Sequence, residues 1–181
     1  SGIPLYLSTD SWIIRDVPPG SAGPRPQAPA ARAAAAIDDA DMLLSLADTA
    51  LANTDYSEAY NDVTRALAIR QKKLGPAHPK TADAMRRLAM LYAHKNSVEA
   101  EGLYKRGLMT QANAVGPDHL DLIPTLTGLA NLYQNMGGYS DAETVYARAL
   151  YIQQKNLGPD HRDILPTLSG LATVCLNQHR L

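Results

Sequence analysis

Three histidines recur in one setting: Leu74-Gly75-Pro76-Ala77-His78, Val115-Gly116-Pro117-Asp118-His119 and Leu157-Gly158-Pro159-Asp160-His161. Imidazole is a common metal ligand, so three of them at a regular interval raise a metal reading. The interval speaks against it. The glycines stand 41 and then 42 residues apart, which puts each histidine in a different structural unit, about one unit's width from the next. A shared ion does not fit that spacing, and the pattern instead predicts a structural role at the turn between units. The other reactive groups are as sparse. Cys175 is the only cysteine, so there is no internal disulfide and no thiolate cluster, and the compartment is not legible from cysteine usage. Its register predicts a buried core thiol. Glu99, Glu101, Asp141 and Glu143 fall early in predicted helices, where carboxylates suit the helix dipole. The sequence contains no phosphate-cradling glycine loop, nucleophile elbow or His-Glu-x-x-His pair. These residues predict no enzyme, no cofactor and no metal site.

The elements that position these residues follow from the repeat. A fixed period near 40 residues marks stacked units that build a curved solenoid, whose long concave surface suits a polypeptide ligand. Helices of one type are expected at 38–53, 80–95, 121–136 and 163–178, and of a second type at 56–73, 97–114 and 139–156. Three pairs are complete and a fourth is half present. Leu88-Ala89, Leu129-Ala130 and Leu171-Ala172 share one register, followed three residues later by Tyr92, Tyr133 and Cys175. In the second helices Ala59, Ala100 and Ala142 align, as do Val63, Tyr104 and Tyr146, and Ala66, Gly107 and Ala149. Small residues permit close helix approach and larger ones fill the gaps. Gly75, Gly116 and Gly158 are expected to end the second helices in the left-handed conformation, and the prolines after them stop continuation. Pro124 and Pro166 read as first-turn residues.

Leu129-Ala130-x-x-Tyr133 followed by Ala142-x-x-x-Tyr146-x-x-Ala149 resembles the tetratricopeptide repeat, and the 42-residue period with Gly-Pro-Asp-His between units resembles its kinesin-light-chain-like subfamily. The resemblance covers about residues 40–181. It implies an all-α, right-handed superhelix of about 3.5 helix-turn-helix repeats, with first helices lining a concave groove. The function it implies is a non-catalytic adaptor for a protein or peptide partner. A regulatory or sensory segment of a larger enzyme or signalling protein, and a self-assembly module, are the alternatives.

By the same resemblance, the inward positions are Asp41, Leu44 and Asp48, then Arg86, Arg87, Met90 and His94, then Thr127, Asn131, Gln134 and Asn135, and finally Ser169, Thr173 and Asn177. Arg86, Arg87, Met90, Thr127, Asn131, Gln134, Asn135, Thr173 and Asn177 are the expected binding residues. Amides can pair with the backbone of an extended peptide, and guanidinium groups can clamp a carboxylate near Arg86 and Arg87. The sequence departs from the subfamily's Asn-Asn pair before the Leu-Ala, reading Arg86-Arg87, Thr127-Gly128 and Ser169-Gly170. Gly128 and Gly170 sit mid-helix, where glycine costs ~1 kcal/mol against alanine. Either tight packing between adjacent first helices or approach of a ligand backbone offsets that loss, and packing is the preferred reading.

Before the repeats, residues 1–17 read as an extended segment, residues 18–36 as a Pro/Ala/Gly-rich linker and residues 37–181 as the repeat domain. Trp12, Ile13 and Ile14 are expected to serve as an internal ligand for the groove, or to be the tail of a preceding domain or a strand padding the first helix. The 181 residues carry 17 basic and 18 acidic side chains, a net charge of -1, which gives no global field toward nucleic acid or an anionic membrane. No apolar run approaches the ~18 residues of a membrane span. The chain begins without a basic-then-apolar leader, and a cytoplasmic setting is the expectation. Leu168, Leu171, Cys175 and Leu176 on the last helix are expected to be partly exposed, and self-association through them is a further expected partnership.

Overall fold

The computed structural model describes residues 39–93 and 95–178. The expectations for residues 1–17, the 18–36 linker, Trp12, Ile13, Ile14 and His94 therefore lie outside the described residues. Among those described, the chain is helical throughout: α1 (Ala40–Ala52), α2 (Tyr56–Leu74), α3 (Pro79–Tyr92), α4 (Ser97–Val115), α5 (Ile123–Asn135), α6 (Tyr139–Leu157) and α7 (Leu165–Gln178). Single 3-10 turns at Leu120–Leu122 and Arg162–Ile164 precede α5 and α7, where the sequence predicts α-helix. Proline explains the difference. Pro124 and Pro166 have no N–H for a bond to the residue four back, so the preceding turn closes on the shorter span, Ile123 N–H to Leu120 O and Leu165 N–H to Arg162 O.

The turns between pairs are built locally. Gly75, Gly116 and Gly158 hold φ of 88°, 100° and 91° with ψ near 160°. That is an extended mirror-image conformation open essentially to glycine alone, not the left-handed helical one. Each histidine then caps the next helical turn. The Nδ1 of His78 accepts from the backbone N–H of Lys80 at 3.1 Å, and those of His119 and His161 accept from Asp121 and Asp163 at 3.2 Å. An imidazole here replaces the usual Ser, Asp or Asn cap. No group of three metal-ligating side chains occurs among the described residues.

Packing couples the pairs. Ala59, Ala100 and Ala142 are completely buried, as are Ala66 and Ala149. At the matching Gly107, a Cβ would lie 3.3 Å from the carbonyl oxygen of Ala82. Leu43, Leu88, Leu129 and Leu132 fill the layer between the two helix types. First helices α3 and α5, and α5 and α7, approach one another directly, while successive second helices are held further apart. The first helices therefore lie on the inner, concave side. Leu44 is buried in the core, correcting its assignment to the groove, because it packs across the α1–α2 pair. On α7, Leu165, Leu168 and Leu176 are exposed, Leu171 is half-buried, and Cys175 is half-buried rather than sealed.

Gly128 and Gly170 have a packing role, with a partner other than the neighbouring first helix. A Cβ on Gly128 would fall 2.7–2.9 Å from the ring and hydroxyl of Tyr104, and one on Gly170 2.5–2.6 Å from those of Tyr146. Each tyrosine comes from the preceding second helix and wedges its ring under the next first helix. In the first seam the same two registers carry Val63 and Arg87. Gly128→Ala is expected to lower stability by about 1 kcal/mol: the gain in helix propensity is ~1 kcal/mol, and overpacking costs ~1–3 kcal/mol. Thermal unfolding of the single variants and of Gly128→Ala/Tyr104→Val checks this. The double variant should lose less than the sum of the singles, and a raised melting temperature for Gly128→Ala would exclude the contact.

Candidate functional site

On the inner face of α3, Asp83, Arg86, Arg87 and Met90 stand at i, i+3, i+4 and i+7, which brings them onto one stripe. Asp83 is the hub. It accepts from Arg86 at 2.8 Å, from Arg87 at 3.4 Å and from Arg70 of α2 at 3.3 Å. Arg70 is 7% exposed and also reaches Asp41 at 2.6 Å and the carbonyl of Lys80, while Lys80 reaches Asp41 at 3.2 Å. Arg87 pairs with Asp48 of α1 at 2.5 Å. Burial pushes the Asp83 carboxyl up, but Arg86, with Arg87 and Arg70, outweighs it and holds the group below its ordinary value. Hydrogen bonds from Arg70 and Lys80 likewise lower Asp41.

By sequence Arg86 and Arg87 are equivalent, and the structure separates them. Arg87 is bound between Asp48 and Asp83 and ties α1 to α3. Arg86 pairs with Asp83 and lines two adjoining hollows. One, of about 290 Å³, is lined by Arg86, Met90, Tyr104, Thr127, Asn131 and Asn135, among others. The other, of about 310 Å³, shares Arg86 and Pro124 with it and runs toward Lys80, Asp83 and Asp121. Together they form a trough between α3 and α5 with Arg86 at mid-length.

Of the nine expected binding residues, Arg86, Met90, Thr127, Asn131 and Asn135 meet in the first hollow. Arg87 and Gln134 do not line it, and Thr173 and Asn177 repeat the registers of Asn131 and Asn135 one unit on, along α7. Thr127 and Thr173 turn their hydroxyls onto their own helices, donating to the carbonyls of Ile123 and Ser169 at 2.9 Å, so as donors they are spent. Asn131 accepts from the Tyr146 hydroxyl through Oδ1, a bond that does not use its NH2. Asp83, Arg70 and Tyr104 were missed as site residues. Asp83 was signalled by its helical spacing to both arginines. Arg70 shares its register with Gln111 and Gln153, which are also buried and also bond to the start of the next first helix, at Thr125 and at the carbonyl of Asp163. A larger cavity, about 510 Å³, lies between Tyr56, Tyr60, Leu91, Tyr92 and Lys95. Its walls are mainly apolar, and the Tyr60 and Tyr92 hydroxyls bond to each other at 2.7 Å.

This alternation of helices, with small residues at fixed registers, is matched by the tetratricopeptide repeat model over residues 38–110 and 121–181. The chain belongs to the tetratricopeptide repeat family. Among solved structures, its fold is similar to that of BtubC (BKLC) from P. vanneervenii, at 22% identity and a TM-score of 0.71, over 77% of this chain and 56% of that one. It is similar as well to a kinesin-light-chain-type protein of Podosopora anserina with nearly identical TPR-like repeats, at 24% identity and a TM-score of 0.70, over 78% and 68% of the two chains. The Sgt2 TPR domain from Aspergillus fumigatus is 23% identical with a TM-score of 0.50, over 78% and 80%. No curated protein matches the sequence. This TPR chain thus spans little more than half the length of BtubC. Proteins of this repeat family are generally protein–protein interaction modules. No described helix is long and apolar enough to cross a membrane.

The charge hub has a pH signature. The folded value of Asp83 lies below its ordinary 3.8, so its pairing contributes fully above that pH and is lost as the pH falls through the folded value. Asp83→Asn should therefore lower stability at neutral pH and flatten the loss of stability below pH 3.8. Urea unfolding at a series of pH values measures both, and parallel curves for the two proteins would exclude the linkage.

Proposed function

We propose that this TPR domain is a non-catalytic scaffold that holds an extended segment of another polypeptide in the trough between α3 and α5, with a carboxylate of that segment against Arg86. The observation that carries the reading is the convergence of donors at mid-trough. The Arg86 guanidinium has N–H groups beyond the one directed at Asp83, and Asn131, whose NH2 is not used by the bond from Tyr146, lines the same hollow. Such a cluster offers hydrogen atoms beyond those taken by Asp83, which suits backbone carbonyls and an acidic group. Arg87 supports this charge by position, while Gln134, Thr173 and Asn177 extend the polar face toward α7.

A second reading rests on α7, whose exposed Leu165, Leu168 and Leu176 favour self-association through that helix. Sedimentation at rising concentration reads it out.

Selection of a random peptide display library against the full chain tests the groove. Acidic sequences should be enriched, and the enrichment should vanish with Arg86→Gln, a change that leaves the Arg87 pairs in place. No enrichment, or the same sequences from both proteins, would exclude the trough as a peptide site. Competition by a synthetic peptide of residues 1–17 would add the regulatory reading, with Trp12, Ile13 and Ile14 as the internal ligand.

A further inference from the structure

The cavity of about 510 Å³ between Tyr56, Tyr60, Leu91, Tyr92 and Lys95 lies on the other side of α3 from the trough. Met90 lines the trough, and the two residues after it line the cavity. The later seams are built differently at the same registers. Tyr60 and Tyr92 correspond to Glu101 and Tyr133, where the Tyr133 hydroxyl donates to Glu101 at 2.9 Å and Lys105 pairs with the same carboxylate at 2.6 Å. One unit further they correspond to Glu143 and Cys175. Leu132 and Val174 are sealed at 1% and 0% exposure, while Leu91, in their register, is only half-buried. A cavity that was a by-product of stacking would follow the repeat. This one follows from the side chains of one seam.

The lining selects a class of ligand. The rings of Tyr60 and Tyr92 meet edge to face, with centroids 5.5 Å apart, and Tyr56 stands one turn before Tyr60 on the same stripe of α2. Such edges and faces pack well against a further aromatic ring. The polar groups are donors. The Tyr60 and Tyr92 hydroxyls lie 2.7 Å apart, and that bond uses one of their two protons. The bond with Tyr60 pushes the Tyr92 phenol up, so it keeps its proton at neutral pH. Lys95 is the charged group on the lining among the described residues. Three tyrosines alone would suit a cation, but an ammonium beside them opposes one. The volume falls within the ~300–1,000 Å³ of small-molecule sites. We infer that this cavity binds a small planar aromatic acid, its ring system against Tyr56, Tyr60, Leu91 and Tyr92 and its carboxylate beside Lys95. The site is separate from the trough and independent of the peptide reading.

The experiment is an NMR titration of the full chain with sodium naphthoate, read on the Leu91 methyls and the tyrosine rings. Naphthamide, with the same rings and no charge, and cyclohexanecarboxylate, with the same charge and no aromatic ring, are the controls. Naphthoate should give saturable shifts at these residues and bind more tightly than either control. Tyr56→Ser supplies the side chain that α4 carries in this register at Ser97, and should weaken binding about fivefold. Lys95→Met, after Met136 in its register, should remove the preference over naphthamide. Tyr60→Glu/Thr64→Lys copies the Glu101–Lys105 pair of the next seam, and should abolish binding in a chain that circular dichroism shows to be folded. Arg86→Gln should leave the affinity unchanged. Absent shifts, equal binding of the three probes, full affinity in Tyr56→Ser or a preference for the acid retained in Lys95→Met would overturn the inference. So would loss of binding in Arg86→Gln, which would put the acid in the trough.

Discussion

Helices in this chain can approach one another only where they carry almost no side chain, and that constraint orders the rest of the structure. Ala59, Ala100 and Ala142 are wholly buried at the matching point of each pair. At Gly107 even a methyl group would press on the Ala82 carbonyl. Close approach at these points leaves gaps elsewhere along the helices, and a larger residue from the second helix must fill each one. Where that residue is tyrosine, at 104 and 146, its ring crosses under the next first helix and meets a glycine. Where it is Val63, the position in register with those glycines carries Arg87. The pairing of a large residue with a small one is thus repeated across seams, in either order, and it brings the tips of second-helix side chains to the concave surface.

That geometry decides the chemistry of the trough. Arg87 lies between Asp48 and Asp83 and serves the joint between α1 and α3. Arg86, one residue earlier, points along the trough and pairs with Asp83. The same carboxylate also holds the buried Arg70, so Asp83 connects the seam between units to the exposed charge. Two adjacent arginines are therefore assigned different work by the carboxylates they reach. The tyrosines diverge as well. The Tyr146 hydroxyl bonds to Asn131, and Tyr104 lines the hollow that holds Met90.

Much of the architecture was legible because it is local or periodic. The 41- and 42-residue spacing, the buried alanine register and the Gly-Pro turn predicted the helix pairs to within a few residues. The differences arose where proline tightened the turns before α5 and α7. The site was less legible. The hydroxyls of Thr127 and Thr173 look available in a sequence and are spent on their own helices. Leu44 was assigned to the groove by register and lies in the core, and Cys175 was expected to be sealed and is half-buried. Asp83 was overlooked although its spacing to Arg86 and Arg87 puts all three on one face.

What the sequence determined by itself is the repeat: its period, its helices, the glycines that end them and the small residues that let them meet. Each follows from backbone sterics or from a side chain acting within a turn or two of its own position. The tertiary structure alone decided which polar groups remain open. Asp48 finds Arg87 and Tyr146 finds Asn131, across 39 and 15 residues of chain. Such contacts join neighbouring units, and their partner, distance and burial depend on how the helices stack.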